Sequence, residues 1–193
     1  MRGSWASSWM VRISAPQHLL IGLFVRDAAG LHPRATVDVP PAEPAVELRA
    51  SLAVMATAEV SAQWARWWSQ ELARQGTADR GFFLPDARFG DGRELEELFR
   101  VCRYDAVRWA GVRKHDEAAS LGRDRGREGD LIRAIETQLG RKAHPFELEV
   151  TELPVAGAAG WRVSSQHVAV SRALRDDIAA YHRWLGPVVR ELA

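Results

Sequence analysis

The segment from about Ala45 to Gln75 has the composition of one long helix, but its apolar residues do not keep to one side. On a helical wheel of about 100° per residue, Leu52 lies about 40° from Leu48, whereas Trp68 and Leu72 lie at about 200° and 240°. A straight surface helix buries a single stripe of side chains and could not cover both sets. The helix must therefore break near its middle, or its second half must pack against a different partner.

The second half of this segment holds three neighbouring tryptophans, Trp64, Trp67 and Trp68, of eight in the chain. Indole rings suit both protein cores and the hot spots of interfaces. Together with Leu72 they form a patch that needs cover, either from the aromatic segment at residues 82–84 or from another chain. We take these four residues as the candidate partner-binding surface.

The clearest strand signal is Phe146–Val150, in which apolar residues alternate with Glu147 and Glu149. This period of two is typical of a strand with one buried face. We expect it to pair antiparallel with part of Trp161–Val170, where a shift in the apolar phase indicates a bulge near Ser165. Glu147 and Glu149 should then be exposed.

A second hairpin is expected near the N-terminus. The continuous apolar run Leu19–Val25 predicts a strand covered on both faces, and residues 35–39 alternate as its partner. Residues 27–33 would connect the two strands. The run is far shorter than the roughly 20 residues that a membrane-spanning helix needs. Residues 1–9, which show no period, are interpreted as a loose tail.

The remaining apolar periodicity is helical. It predicts a helix over about residues 92–113, a short helix over 131–139 that ends at Gly140, and a last helix after Ser171. Gly186–Pro187 should kink this last helix or start a separate final turn. Three valines should widen the buried face of the first of these helices: Val101, Val107 and Val112. The last helix should pack on the sheet through Ile178, Tyr181 and Leu185.

These elements make α+β the predicted fold class. The expected architecture is a small mixed or antiparallel sheet, built from the N- and C-terminal hairpins and packed on the long helix, a central helix pair and the C-terminal helix. A mostly helical fold with two hairpins is the alternative. A chain of 193 residues can bury one sizeable core without disulfides or metals, so residues 1–193 are expected to form a single domain.

A glycine- and arginine-rich stretch at residues 118–129 has no apolar period and predicts a flexible loop. Arg123, Arg125 and Arg127 alternate with other residues in it, just before a predicted helix. Guanidinium groups, glycine-rich backbone and helix N-termini all favour anions. These three arginines are the candidate anion-binding residues, for a phosphorylated ligand or nucleic acid.

Several side chains offer weaker candidates for chemistry. His167, His182 and Cys102 could converge on the triplet His115–Asp116–Glu117, but their spacing is no metal-site signature. A nucleophile beside His167 could be assembled from one of three serines, although nothing in the sequence requires it: Ser164, Ser165 and Ser171.

Composition and motifs set the expected function. Lys and Arg number 26 against 25 Asp and Glu, so no global charge directs the chain to nucleic acid or an anionic membrane. The common phosphate-binding, dinucleotide-binding, hydrolase and zinc motifs are absent, and no cofactor or metal is expected. The one cysteine, Cys102, fits a reducing compartment. Either Met1 or Met10 is expected to be the true first residue.

The favoured function is therefore a non-catalytic protein-interaction or assembly module of a bacterial cytoplasm, with a homo-oligomer or another protein as partner. The alternative is a phosphate- or nucleotide-binding domain, or a small enzyme, that uses the Arg-rich loop.

Overall fold

The fold is seen in a computed structural model that describes residues 9–33, 38–74, 89, 92–123 and 126–193, with the backbone alone over 117–123. In these ranges the elements follow in the order β1 (Trp9–Ser14), α1 (Gln17–Ala29), α2 (Ala50–Ala53), α3 (Ala58–Arg74), α4 (Arg93–Arg123), α5 (Arg127–Leu139), β2 (Phe146–Leu153), β3 (Gly160–Arg162), β4 (His167–Ser171), α6 (Arg172–Asp176) and α7 (Ile178–Leu192). The class is α+β, as predicted.

The four strands form one mixed sheet in the order β1-β2-β4-β3. β2 runs parallel to both β1 and β4, and β3 is antiparallel to β4. The prediction of a strand over Phe146–Val150 is confirmed. The prediction that it pairs antiparallel with part of Trp161–Val170 is wrong, because its neighbour there is the parallel strand β4.

A tight turn between β3 and β4 explains this difference. The backbone N–H groups of Val163 and Ser164 both donate to the carbonyl oxygen of His167, at 2.9 and 3.0 Å. The change of apolar phase at Ser165 is therefore a chain reversal and not a bulge. Because β3 pairs with β4 in this hairpin, β4 presents its other edge to β2 and runs in the same direction as β2.

The apolar run Leu19–Val25 lies inside helix α1 and is buried along its whole length. A helix that is covered on every side is apolar all round and cannot be distinguished by pattern from a doubly covered strand. Gly30 (φ 67°) ends α1, and the N–H of Leu31 donates to the carbonyl of Arg26 at 2.9 Å. The predicted hairpin is therefore wrong: the N-terminal strand is β1, which begins at Trp9 in the predicted tail.

The predicted partner strand at residues 35–39 falls partly outside the described residues, and Asp38 and Val39 belong to no strand. Of the two alternatives for the 45–75 segment, the structure has the break, since α2 ends at Ala53 and α3 begins at Ala58. The first helix begins at Ala50, five residues later than predicted. The hydroxyl oxygen of Thr57 accepts from the N–H of Val60 at 3.1 Å and so caps α3.

Helices α4 and α5 occupy most of the stretch that the sequence predicts as a loop at residues 118–129. α4 continues to Arg123, and α5 begins at Arg127 after Gly126 (φ 104°). Alanine, leucine and arginine favour helix even where no apolar stripe is present, so a lost period does not end a helix. At its start, α4 is capped by α3: the Oε1 atom of Gln63 accepts from the N–H of Leu95 at 3.0 Å.

The sheet lies between two hydrophobic cores. On one face, Leu153 and Ala169 join a core formed with α1, α3 and α4. On the other, Leu148, Val150 and Val168 join a core formed with α5 and α7. The two sets alternate along β2 and β4, as side chains of a strand must.

Helix α7 packs on this second core through Tyr181 and Leu185, as predicted, whereas Ile178 is exposed at the start of the helix. The helix is continuous through Gly186–Pro187. A helix starts directly after Ser171, as predicted, and Ser171 caps it by accepting from the N–H of Leu174 at 3.1 Å. The predicted single last helix is two helices, because α6 ends at Asp176 and Asp177 caps α7. Glu147 is exposed as predicted, but Glu149 is half-buried.

Candidate functional site

The four residues of the predicted partner-binding surface are buried by the chain itself. The exposed fraction is 0% for Trp64 and Trp68, 6% for Trp67 and 3% for Leu72. Trp64 stacks on Trp68 with ring centroids 5.0 Å apart, and its indole N–H donates to the carbonyl of Gly22 in α1 at 2.9 Å. Trp67 meets Phe99 of α4 edge to face at 4.9 Å.

This burial removes the premise of the partner-binding prediction, namely that Trp68 and Leu72 lack cover within one chain. The cover comes from α1 and α4, which pack against each other and both contact α3, so that α3 buries more than one side. The alternative cover considered from the sequence, residues 82–84, lies outside the described residues.

The three arginines of the predicted anion site do not share a loop. Arg123 is the last residue of α4, and Arg125 lies outside the described residues. The guanidinium of Arg127 donates to the carbonyl oxygen of Arg175 at 2.9 Å. The first turn of α5 also carries its own carboxylates, those of Glu128 and Asp130. A carbonyl oxygen and two carboxylates of the protein therefore lie where an anion would have to approach Arg127.

Glu128 belongs to a buried charged cluster. The guanidinium of Arg175 lies 2.9 Å from the Glu152 carboxylate and 3.4 Å from that of Glu128, which also accepts from the hydroxyl of Tyr181 at 3.2 Å. Burial raises the pKa of Tyr181, and the charge of Glu128 adds to this effect. The cluster joins β2, α5, α6 and α7 and is a structural contact between them.

The weaker candidates lie on separate parts of the fold. Cys102 is in the first core, where burial raises the pKa of its thiol to about 11 and so keeps it from acting as a nucleophile. His182 contacts the carbonyl of Arg127 through Nε2 at 3.2 Å. Ser171 is used as a cap by Leu174. Among the described residues, no group of three or more His, Cys, Asp or Glu side chains could hold a metal ion.

The outer side of α4 carries the most concentrated apolar surface in the described residues. The exposed fraction is 79% for Tyr104, 51% for Val101, 48% for Val112 and 39% for Val107. On the helical wheel these side chains lie within about 80° of Tyr104, opposite the buried Leu95 and Cys102. With the exposed Arg108 and Gly111 between them, they form what we term the α4 outer face.

Charge is distributed unevenly along this helix. Glu94, Glu96 and Glu97 are exposed near its beginning, and Arg103 and Arg108 are exposed further along. Arg100 donates through Nε to the carboxylate of Glu97 at 2.7 Å, which lowers the pKa of Glu97. The guanidinium of Arg49, the residue before α2, donates a hydrogen bond to the carboxylate of Asp105. This hydrogen bond lowers the pKa of Asp105.

Comparison with known proteins finds no matching family, no similar curated protein and no similar solved structure. None of the helices in the described ranges combines the length and the apolar character that crossing a bilayer requires.

Sequence reasoning missed the α4 outer face because it assigned Val101, Val107 and Val112 to the buried side. Their positions on the helical wheel already place them outside the buried side, since Val101 and Val107 lie about 100° and 140° from Cys102. Tyr104, at about 160° from Cys102, marks the centre of the outward side. A helix with valines this far from its buried stripe has apolar side chains on a side that does not contact the core.

Proposed function

We propose that this protein is a non-catalytic interaction module that self-associates through the α4 outer face. The observation that carries the proposal is the group of four exposed apolar side chains on one helix: Val101, Tyr104, Val107 and Val112. Contiguous exposed apolar surface of this kind is typical of protein contact sites. Tyrosine in particular is enriched at interface hot spots.

Charge complementarity supports a second copy of the chain as the occupant. In an antiparallel pair of α4 helices, Glu97 of each copy lies towards Arg108 of the other, and Val101, Tyr104 and Val107 lie between these ends. A parallel pair would oppose like charges and aligned helix dipoles. The arrangement is therefore an isologous contact whose two-fold axis passes at the level of residues 102–103, between Val101 and Tyr104.

The size of the α4 outer face limits how tightly two copies of the chain can associate. Residues 93–115 span about 33 Å of helix at 1.5 Å per residue. One helix pair of that length buries less than the ~800 Å² per partner of a standard stable interface. The association should therefore be weak, with a dissociation constant in the micromolar range or above. The single cysteine, buried as a protonated thiol, supports placing this module in the cytoplasm.

The test is the mass of the purified full chain, measured by sedimentation equilibrium from about 1 to 500 μM. The wild type should shift from monomer to dimer in this range. Tyr104→Glu places a charge in the centre of the contact and should remain monomeric. Val54→Glu makes the same kind of change at an apolar residue that is 81% exposed away from α4, and it should dimerise as the wild type does.

A charge exchange tests the antiparallel arrangement separately. Glu97→Arg should weaken dimerisation, and adding Arg108→Glu to it should restore the dimer. A wild type that stays monomeric at 500 μM would overturn self-association. A dimer that forms equally with Tyr104→Glu would place the contact elsewhere, and a double variant no better than Glu97→Arg would refute the antiparallel arrangement.

A further inference from the structure

A polar cleft lies on the sheet beside the end of α3, away from the α4 outer face. Its volume is about 250 Å³. Apart from Ala73 and Leu148, the residues that line it are polar or charged: Arg12, Glu147, Glu149, Ser164, Gln166 and His167. Three strand segments supply them, since β1, β2 and the turn that opens β4 meet at this place.

His167 is the most deeply buried polar side chain of the cleft, with an exposed fraction of 3%. Its Nε2 atom lies 2.9 Å from the hydroxyl oxygen of Thr151, which is fully buried. The Nδ1 atom makes no hydrogen bond to the described residues. When Nε2 donates to Thr151, Nδ1 carries a lone pair and can accept a hydrogen bond.

Glu149 stands beside His167, because the two residues are register partners on the neighbouring strands β2 and β4. The carboxylate of Glu149 accepts from the hydroxyl of Ser14 at 3.2 Å. This is its one hydrogen bond among the described residues, although a carboxylate can accept about four. Burial raises the pKa of Glu149, and the hydroxyl of Ser14 and the charge of Arg12 offset this effect only in part.

The positive charge of Arg12, which lies opposite Glu149 in the sheet, is shared between two carboxylates. Arg12 lies 3.4 Å from the carboxylate of Glu147, and both side chains are more than half exposed. The two charges cancel at the rim of the cleft, so the net charge left inside is that of Glu149. An anion would be repelled there, and a cation would be stabilised.

We propose that this cleft binds the primary ammonium group of a small organic amine. An ammonium ion has three N–H donors, and the lining of the cleft supplies one carboxylate, Glu149, and two further side chains that can accept a hydrogen bond, His167 and Gln166. Since one water fills about 30 Å³, a cleft of this volume holds roughly eight non-hydrogen atoms. Diamines and amino alcohols of four to six non-hydrogen atoms fit this limit.

The test compares 1,4-diaminobutane with 1,4-butanediol, which has the same length and no charge, by calorimetry and by NMR of the histidine rings. The diamine should bind at least 10-fold more tightly than the diol and shift the signals of His167. Glu149→Gln keeps the shape of the side chain and removes its charge, and it should weaken diamine binding at least 10-fold. Glu96→Gln makes the same chemical change on α4, outside the cleft, and should leave binding within about 2-fold.

Three results would overturn the proposal. These are absence of diamine binding at 50 mM, equal binding of diamine and diol, and unchanged binding by Glu149→Gln. Equal binding of the two probes would identify the cleft as a site for neutral polar molecules. None of these results depends on dimerisation, which the α4 variants test independently.

Discussion

The backbone of Gly22 lies against the ring of Trp67 so closely that a Cβ atom at Gly22 would be 2.4 Å from Cζ3 of that indole. This contact is where α1 and α3 approach each other. A second ring atom of Trp67 would lie 2.7 Å away, and the indole is buried and rigid. Only a residue without a side chain allows this approach.

Gly22→Ala should therefore destabilise the protein, although alanine is the better helix former by about 1 kcal/mol. Forcing a methyl group into this contact costs about 1 to 3 kcal/mol. Gly111→Ala is the control, because nothing lies within 4 Å of a Cβ atom at that helical position. It should raise the free energy of unfolding by about 0.5 to 1 kcal/mol. Urea denaturation measures both, and equal effects would contradict the close contact.

The stacked tryptophans differ in how their indole N–H groups are satisfied. Trp64 donates to the carbonyl of Gly22, whereas Nε1 of Trp68 is buried without a partner in the described part of the chain. Trp64→Phe should therefore lower the free energy of unfolding by at least about 1 kcal/mol more than Trp68→Phe, since the latter removes an unsatisfied donor. The same denaturation experiment applies. If Trp68→Phe is the more damaging change, Nε1 of Trp68 has a partner.

The buried ion pairs of Arg175 should contribute more to stability than an exposed ion pair does. Arg175→Met leaves the carboxylates of Glu128 and Glu152 buried without their guanidinium and should destabilise the fold by about 3 to 5 kcal/mol. Arg133→Met removes an exposed ion pair with Asp130 and should change stability by no more than about 0.5 kcal/mol. Thermal unfolding at pH 7 compares the two, and a small effect of Arg175→Met would show that the pairs contribute little.

His167 should make stability depend on pH. Burial lowers the pKa of this imidazole from 6.5 to about 4. Between these pH values the unfolded chain binds more protons than the folded chain, so stability is full above pH 6.5 and is lost as the pH falls towards 4. The loss should not exceed about 3.5 kcal/mol.

The comparison that isolates this effect is wild type against His167→Gln, by denaturant unfolding from pH 4 to pH 7.5. The raised pKa of Glu149 acts in the opposite direction in both proteins. The difference in stability between wild type and variant should shrink as the pH falls. A constant difference would mean that the folded pKa of His167 is ordinary.

The parts of the fold that could be predicted from sequence are those whose local pattern has one physical meaning. Strand β2 alternates because one face of its first half meets a core and the other meets the cleft. The break before α3 follows from apolar residues that no straight helix can bury together. Helix α1 was beyond this reasoning, because Leu19–Val25 is covered on all sides and its pattern carries no period.

Features that depend on distant partners could not be predicted. The side chains around Trp68 are covered by α1 and α4, and a single segment gives no indication of which helices will surround it. The cleft beside His167 joins Arg12 to Glu149, residues that neighbour each other only because β1 pairs with β2. The α4 outer face, by contrast, was within reach, since the wheel position of Tyr104 already places it opposite Cys102.

The parallel pairing of β1 with β2 joins residues that are far apart along the chain, as in the pair Trp9 and Phe146. A ribosome adds about 5 to 20 residues per second, so β1 is made roughly 7 to 27 seconds before its partner strand exists. During that time the apolar side chains of Val11 and Ile13 have no sheet to join. Capture of the first strand can therefore occur only after β2 has been made, and the long loop that it closes slows this step.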